Sequence, residues 1–438
     1  MIAADWDTGS ARADICIVGA GPVGLALAFK LEELGFTVTL LEMGTGETGG
    51  DGGATGDIEF KNGHHASSPA MSRPGIGGAS ALWGGRCVEF DDIDFDKRGH
   101  VPFSGWPISH DELRRHYPEA LAFLNCNAGD VQLDEIGIAD GTIGTQALER
   151  WSRYPDLGPI CTERLQASRH IRFLNGTVRR VVVDPSGERI EALVAHHGAK
   201  QIEVTARAFV LAGGGLENAR LLFSLPRDHP RIAEGSSDPL GRFYQGHLTG
   251  YIAVLEFDKP EMAKQFAFQM DRQGYIFRRR LQIEPAVQTQ EKLLNCVFWL
   301  DPISVADPVH GSGALSSIYL FLRTFGLYRR LSNGLAPTSR GSQNISRKQH
   351  WQNIHADRRL LPDVLLSLRN LLERRLDRWR MLMNPKGRYL LRYHAEQIPN
   401  PDSRVSLQPQ DGQVPRPALA VDYRVVDQDL GRSDELTI

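Results

Sequence analysis

The sequence predicts a mixed α/β protein in which a Rossmann-like nucleotide-binding domain is joined to a second, α+β domain with an antiparallel sheet. A short apolar strand, a glycine-rich turn and a helix open the chain. A second buried strand, Phe209–Ala212, again runs into glycines, Gly213–Gly215, and then into a helical stretch. From about residue 248 to 407, strand-like runs alternate with helical ones. That alternation indicates a separate domain.

The N-terminal residues are typical of one βαβ unit. We predict a buried strand at Asp14–Val18, a helix at Pro22–Leu34 that ends at Gly35, and a second strand at Thr37–Leu41. Two strands joined by one helix form a parallel pair with a right-handed connection. The following stretch, Gly44–Gly63, is rich in glycine and acid and is predicted as a loop.

Further elements follow from the same patterns. Leu361–Met383 has apolar residues at helical spacing, which predicts an amphipathic helix. The other predicted elements are strands at Ile171–Val183, Ile190–Val194 and Ile202–Val204, and a helix at Leu216–Ser224.

Composition narrows the class of protein. The chain has 438 residues, 41% hydrophobic and 24% charged, which fits a soluble globular protein larger than one ordinary domain. A net charge of −3 gives no reason to expect nucleic acid as a partner. The cysteines form no close pair and no metal-ligand spacing, so we expect reduced thiols and no metal. Without a secretory signal or an apolar run of membrane-spanning length, the protein is predicted to be cytoplasmic.

The turn after the first strand carries a dinucleotide-binding motif. Gly19, Gly21 and Gly24 have the spacing G-x-G-x-x-G. The first glycine permits the tight turn, the second lets the backbone approach a pyrophosphate, and the third allows close packing of helix on strand. Glu42 ends the second strand, where an acid accepts hydrogen bonds from an adenosine ribose. We therefore predict dinucleotide binding, with Pro22 and Val23 of the turn also in the site.

The motif alone does not separate FAD from NAD, but its place at the start of a long two-domain chain favours a resident flavin. Other segments carry a family resemblance: RPGIGGASALWGGRC (Arg73–Cys87), GWPISHDELRRHYPEA (Gly105–Ala120), FVLAGGGLENARLLF (Phe209–Phe223) and EQIPNPDSRVSL (Glu396–Leu407). In this order they resemble the glucose-methanol-choline (GMC) family of FAD-dependent oxidoreductases. The resemblance implies a Rossmann-like FAD-binding domain and a substrate domain with an antiparallel sheet.

The resemblance also implies roles for individual residues. From this resemblance, we expect the pyrophosphate and isoalloxazine of FAD to be lined by Gly77, Gly78, Ser80 and Trp83. The backbone of Val178 would contact the adenine, and the chain would close over the adenosine end at Ala212 and Gly213. In some relatives a histidine before the tryptophan attaches FAD covalently. Because Leu82 stands there, we predict non-covalent FAD.

We expect the FAD-binding domain at residues 10–90 and 165–247 and the substrate, or cap, domain at 91–164 and 248–410. Residues 411–438 would begin an incomplete C-terminal segment, since the family's histidine-bearing closing segment has no match. The sequence would then be truncated, completed by another chain, or catalytically inactive.

The resemblance implies oxidation of a CH–OH group of a sugar or related alcohol by hydride transfer to flavin, with an unknown electron acceptor. The alternative is a catalytically incomplete FAD-fold protein that acts as a binding module or as one subunit of a split enzyme. A neutral histidine suits the role of base. His64, His65, His247 and His394 are available, and the catalytic base stays unassigned. No Gly-Asp motif lies in a place suited to the ribityl contact of flavin hydroxylases, and the cysteine pair of disulfide reductases is not present.

Residues 323–392 hold far more Lys and Arg than Asp and Glu, and they include the amphipathic helix. A basic face beside an apolar one is typical of elements that contact a membrane surface or a partner subunit. In the interpretation we favour, the leucines pack onto the substrate domain and the arginines face water.

Overall fold

A computed structural model describes most of the chain. It covers residues 9–44, 58–61, 72–126, 141–225, 239–328, 346–376, 381–408 and 417–425, with the single residues 129, 131, 133, 136 and 379. Of the predicted features, most of the Gly44–Gly63 loop, His64 and His65, and most of residues 411–438 lie outside these ranges.

The strands of this part of the chain are β1 (Ser10–Val18), β2 (Val38–Glu42), β3 (Ile58–Phe60), β4 (Arg86–Cys87), β5 (Ile143–Gly144), β6 (Leu148–Trp151), β7 (Ile171–Asn175), β8 (Thr177–Val183), β9 (Ile190–His197), β10 (Lys200–Leu211), β11 (Leu248–Glu256), β12 (Gln269–Met270), β13 (Ile276–Arg279), β14 (Leu281–Ile283), β15 (Cys296–Pro302), β16 (Arg388–Ala395), β17 (Arg404–Leu407) and β18 (Leu419–Asp422). The α-helices are α1 (Pro22–Glu33), α2 (Asp92–Phe95), α3 (His110–Arg114), α4 (Tyr117–Phe123), α5 (Gly158–Ala167), α6 (Gly215–Leu222), α7 (Pro285–Glu291), α8 (Gly313–Thr324), α9 (Arg347–Ala356) and α10 (Leu360–Leu376).

The predicted βαβ unit is confirmed. β1 and β2 pair in parallel, with Ile15 opposite Val38, and both lie inside a six-stranded sheet of order β7-β2-β1-β10-β9-β8. Every residue of β2 is buried, as expected for a central strand covered on both faces. Helix α1 begins with proline, whose fixed φ suits the first helical turn. It ends beside Gly35, whose φ of 86° is the left-handed conformation that helix ends favour.

The strand predicted at Ile171–Val183 is divided at Gly176. The backbone N–H of Gly176 donates to Glu42 O at 2.7 Å, and the chain then leaves the edge of the sheet. β7 pairs with β2 at one edge, whereas β8 pairs with β9 at the opposite edge. The two short strands predicted around residues 202–212 are instead one long strand, β10, which pairs in parallel with β1.

Four strands from the second half of the chain and the short β5 form the predicted antiparallel sheet, of order β11-β16-β15-β14-β5. Alternate residues of a strand face opposite sides of a sheet. Tyr389, Leu391 and Phe298 belong to an apolar cluster on one side. Trp299 and His394 alternate with these residues and therefore lie on the other side. A four-stranded sheet, β12-β13-β6-β4, and a three-stranded sheet, β17-β18-β3, complete the sheets of the described chain.

Helices α8, α9 and α10 form a separate helical layer. Leu315 and Tyr319 of α8 form an apolar cluster with Val305 and Leu382, against which Leu371 of α10 packs. For residues 323–392 we favoured an interpretation in which the leucines pack onto the substrate domain. This is wrong for most of the leucines of α10, which are exposed to solvent: Leu361, Leu365, Leu366, Leu368 and Leu372. Within the described ranges, no helix combines the length and apolarity needed to cross a membrane.

Candidate dinucleotide and substrate sites

A cavity of about 470 Å³ lies where β1, β2 and β10 end and where α1 and α6 begin. Helix N-termini present unpaired N–H groups and a partial positive charge, so this arrangement favours a phosphate-bearing ligand. Among the residues predicted to contact the cofactor, those that line the cavity are Gly19, Gly21, Pro22, Val23, Glu42, Gly78, Val178, Ala212 and Gly213.

The three glycines of the motif differ in what surrounds them. Gly19 has a φ of 109°, and a Cβ there would lie 2.5 Å from the backbone oxygen of Ala212. A Cβ at Gly24 would lie only 1.9 Å from the oxygen of Gly19. A Cβ at Gly21 would meet nothing within 4 Å. Gly19 and Gly24 are therefore required by protein packing, whereas Gly21 keeps space open beside the cavity.

Glu42 joins three backbone segments at the cavity wall. One carboxylate oxygen accepts from Ala20 N at 2.8 Å, and the other accepts from Gly75 N at 3.0 Å and Gly44 N at 3.2 Å. Burial raises the pKa of this carboxyl group, while the backbone amides oppose that shift. The acid thus fixes the turn after β1 against the second glycine cluster, and its predicted contact with ribose stays a prediction.

The second glycine cluster packs directly on the motif. Gly77 N donates to Ala20 O at 2.9 Å, and a Cβ on Gly78 would lie 3.0 Å from Gly21 Cα. Both glycines have positive φ, 89° and 51°. A side chain here would be strained and would push the two turns apart.

Four predicted residues lie behind the cavity lining rather than in it: Gly24, Gly77, Ser80 and Trp83. The hydroxyl of Ser80 donates to Gly77 O at 2.7 Å and accepts from Leu157 N at 3.1 Å. The indole of Trp83 donates to Pro155 O at 2.7 Å. The hydrogen bonds of Ser80 and Trp83 therefore hold the segment 77–83 against residues 155–157.

Several lining residues were missed by the sequence interpretation: Arg73, Thr177, Arg179, Gly214, Gly215, Glu217 and Arg220. Asn218 organises part of this wall, because its side chain accepts from Gly213 N and donates to Leu211 O, both at 3.0 Å. The signal available in the sequence was the run Gly213–Gly215 at the start of a helix, which repeats the strand-glycine-helix pattern of the motif.

A second group of polar and aromatic side chains lies on the polar side of the five-stranded sheet, hereafter the polar sheet face. The His394 ring is 4.7 Å from the Trp299 ring and 5.4 Å from the His247 ring, between centroids. Burial lowers the pKa of His394 to about 3, with nearby Arg86 and His247 adding to the effect. The imidazole of His394 is therefore neutral at physiological pH.

Three guanidinium groups surround Trp299. Those of Arg86, Arg278 and Arg392 lie 4.5, 5.3 and 5.5 Å from the ring centroid, a range in which a cation is attracted to an aromatic face. Arg86 and Arg278 share the buried carboxylate of Glu149, at 2.5 and 2.6 Å. This network fixes the position of the polar sheet face.

One segment connects the cavity with the polar sheet face. Residues 77–81 pack on the motif, Trp83 is bonded to Pro155, and Arg86 follows three residues later over Trp299. The open space at Gly21 lies at the cavity end of this segment.

The fold and cavity thus define a dinucleotide-binding protein. The sequence model of the family DAO, FAD dependent oxidoreductase, matches residues 14–280. The chain belongs to this family of FAD-dependent oxidoreductases, and FAD is its cofactor.

A curated relative is 2-methyl-1,2-propanediol dehydrogenase of Mycolicibacterium austroafricanum, 26% identical over 317 residues. The alignment covers 57% of this chain and 57% of that protein. Among solved structures, pyridoxine 4-oxidase from Mesorbium loti is 17% identical with a TM-score of 0.45, over 94% of this chain and 75% of that one. An FAD-dependent oxidoreductase from Chaetomium thermophilum is 14% identical with a TM-score of 0.42, over 94% and 78%.

Proposed function

We propose that this protein oxidises a CH–OH group of a sugar or related alcohol, with FAD as first electron acceptor, and that it is an oxidoreductase of the GMC type. Bound FAD supplies an acceptor for the hydride that leaves the alcohol carbon. Two lines support the proposal: the order of the GMC-like segments, and a relative named as a diol dehydrogenase.

We assign the pyrophosphate of FAD to the backbone around Gly21 and the N-termini of α1 and α6, because both helix ends line the cavity. The adenosine end would lie toward Val178, with Glu42 and Ala212 beside it. The isoalloxazine would follow residues 78–86 toward the polar sheet face. No side chain with a ring nitrogen stands at Leu82, which supports non-covalent attachment.

The observation that carries the proposal is the pair His247 and His394 on the polar sheet face, next to Arg86 at the end of the FAD-contacting segment. A neutral imidazole has a lone pair that accepts a hydrogen bond from an alcohol. The half-buried His394, with the exposed His247 beside it, is suited to hold the substrate hydroxyl and to receive its proton. Trp299, which is buried beside His394, limits access of water to that point.

The test is anaerobic titration of the purified holoprotein with a panel of sugars, diols and simple alcohols, followed by flavin absorbance. We expect at least one of them to bleach the flavin. His394→Asn and His247→Asn should slow that reduction by about 100-fold or more, the range for loss of a general base. FAD content should stay unchanged.

His196→Asn is the matched control, because His196 lies on β9 in the other sheet and should leave the reduction rate unchanged. A flavin that stays oxidised with every alcohol would overturn the proposal and favour the non-catalytic alternative. If His394→Asn, His247→Asn and His196→Asn all showed the same rate of flavin reduction, the histidine pair would not be the group that receives the substrate proton.

A further inference from the structure

Helix α10 turns polar residues toward the protein and leucines toward solvent, which is the reverse of a helix that covers a protein core. Its inward positions include Asp363 and Ser367, which are 8% and 0% exposed. Leu361, Leu365 and Leu372 are 75%, 63% and 64% exposed. A helix normally buries its leucines and exposes its polar residues. The reversed orientation leaves an apolar stripe on the protein surface.

The stripe is one narrow face. Leu361, Leu365, Leu368 and Leu372 follow spacings of four, three and four residues, so they fall within an arc of about 60° on a helix of 3.6 residues per turn. They extend for about 16 Å along the helix axis, at 1.5 Å per residue. Contiguous apolar surface of this kind marks an interaction site rather than a scattered exposed residue.

The adjoining helices also expose aromatic rings. Phe321 of α8 and Phe325 just after it are 58% and 64% exposed, and Trp351 of α9 is 54% exposed. The three helices are one unit, because Leu371 of α10 packs on the cluster of α8 and because His350 of α9 bonds to Ser316 of α8. Phe, Trp and Leu are the residues that insert at the boundary between lipid headgroups and acyl chains.

The charge of the exposed surface is positive. Arg347, Lys348, Arg358 and Arg359 are exposed, and among the described residues none of them has an acidic group within salt-bridge distance. The described acidic residues of α10, and of the segment just before it, are either paired with a cation or buried. Asp357 binds Lys386 at 2.9 Å, Glu373 binds Arg369 at 2.8 Å, and Asp363 is buried.

We propose that the exposed faces of α8, α9 and α10 form a peripheral docking surface for an anionic lipid bilayer. The apolar stripe lies in the headgroup region while the cations meet lipid phosphates, so the protein lies on the membrane without spanning it. A second copy of the chain is a poorer occupant, because a two-fold interface would bring like cations together.

The test is flotation of the full-length, FAD-loaded protein with vesicles of phosphatidylcholine alone or mixed with phosphatidylglycerol. We expect flotation with the anionic vesicles, a much smaller fraction with the neutral ones, and release at high salt. The double variant Leu365→Glu with Leu368→Glu should weaken partitioning by about tenfold per leucine. Replacing Arg358 and Arg359 by Gln should weaken it by roughly fivefold per cation.

The matched control replaces two exposed apolar residues outside these helices, Ile160→Glu and Met270→Glu, and should float like the parent protein. Circular dichroism verifies that all variants remain folded. Trp351→Phe, compared with the parent protein, should remove the part of the tryptophan fluorescence that brominated lipid quenches.

Two results would overturn the proposal. One is absence of the protein from the floating fraction with anionic vesicles. The other is a dimer in analytical ultracentrifugation that the leucine variants dissociate while lipid has no effect, since a second copy would then occupy the stripe. Flavin reduction by alcohol is measured separately, so failure here leaves the proposed function untouched.

Discussion

Replacing Gly21 and Gly24 by alanine, one at a time, separates the cofactor site from the packing that supports it. Gly21 has φ −71° and ψ 178°, which alanine adopts without strain, and its Cβ would meet no protein atom within 4 Å. We therefore expect the unfolding free energy of the apoprotein to change by less than about 1 kcal/mol, since gains from chain stiffening offset a weaker helix cap. At Gly24, the new Cβ would lie 1.9 Å from Gly19 O, and overpacking should cost about 3 kcal/mol or more.

In contrast to its small effect on stability, Gly21→Ala should have a large effect on the affinity for FAD. A charged phosphate gains about 1.5–3 kcal/mol from each backbone N–H that donates to it. A methyl group at Gly21 holds the pyrophosphate away from those amides. Loss of one to two such bonds weakens FAD binding by roughly 10-fold to 10⁴-fold. Urea unfolding of the apoprotein gives the first quantity, and titration of FAD fluorescence gives the second.

The contrast between the two variants is the decisive result. A Gly21→Ala protein that binds FAD as tightly as the parent would mean that the pyrophosphate does not lie against this turn. A Gly21→Ala apoprotein that is destabilised as much as Gly24→Ala would mean that the space beside Gly21 is required for packing rather than for a ligand.

Three further predictions concern a buried hydroxyl, a buried histidine and the flavin linkage. Ser80→Ala should lower the unfolding free energy by about 1–3 kcal/mol in urea titrations, because it leaves the N–H of Leu157 without its partner; an unchanged midpoint would contradict the assignment. The pKa of His310 is lowered to about 3 by burial, so protonation of the unfolded chain reduces stability as the pH falls below about 6.5. His310→Asn should therefore flatten that decline by up to about 1.4 kcal/mol per pH unit, and parallel curves in denaturant titrations would refute this. Because Leu82 offers no attachment atom, acid precipitation should release all flavin to the supernatant, and yellow colour in the pellet would refute non-covalent binding.

The βαβ unit could be predicted from sequence because each of its determinants is local. The short apolar runs of the two strands, proline at the start of α1 and glycine at its end all act within a few residues. The same holds for Gly19 and Gly24, whose need for a small side chain follows from the tight turn and from the packing of α1 on β1. The division of the chain into domains depends on contacts across the whole sequence and stays a prediction.

The features that could not be predicted from sequence depend on contacts between residues far apart in the chain. Residues 171–183 have strand character throughout, yet β7 and β8 lie at opposite edges of the sheet because they pair with different strands. Ser80 and Trp83 are bonded to residues more than seventy positions away, so nothing near them predicts those partners. For α10, periodicity identified which leucines share a face, but not that Asp363 and Ser367 would occupy the inner one.

The segment from Gly75 to Arg86 connects the nucleotide cavity with the polar sheet face. Its first residues are hydrogen-bonded to Glu42 and to the turn after β1, and its last residue lies over Trp299 and bonds to Glu149. Between these ends, Ser80 and Trp83 each bond to one short stretch, residues 155–157. This chain of contacts runs without a break from the turn after β1 to Arg86. For that reason we expect FAD to organise both the nucleotide cavity and the polar sheet face that holds His394.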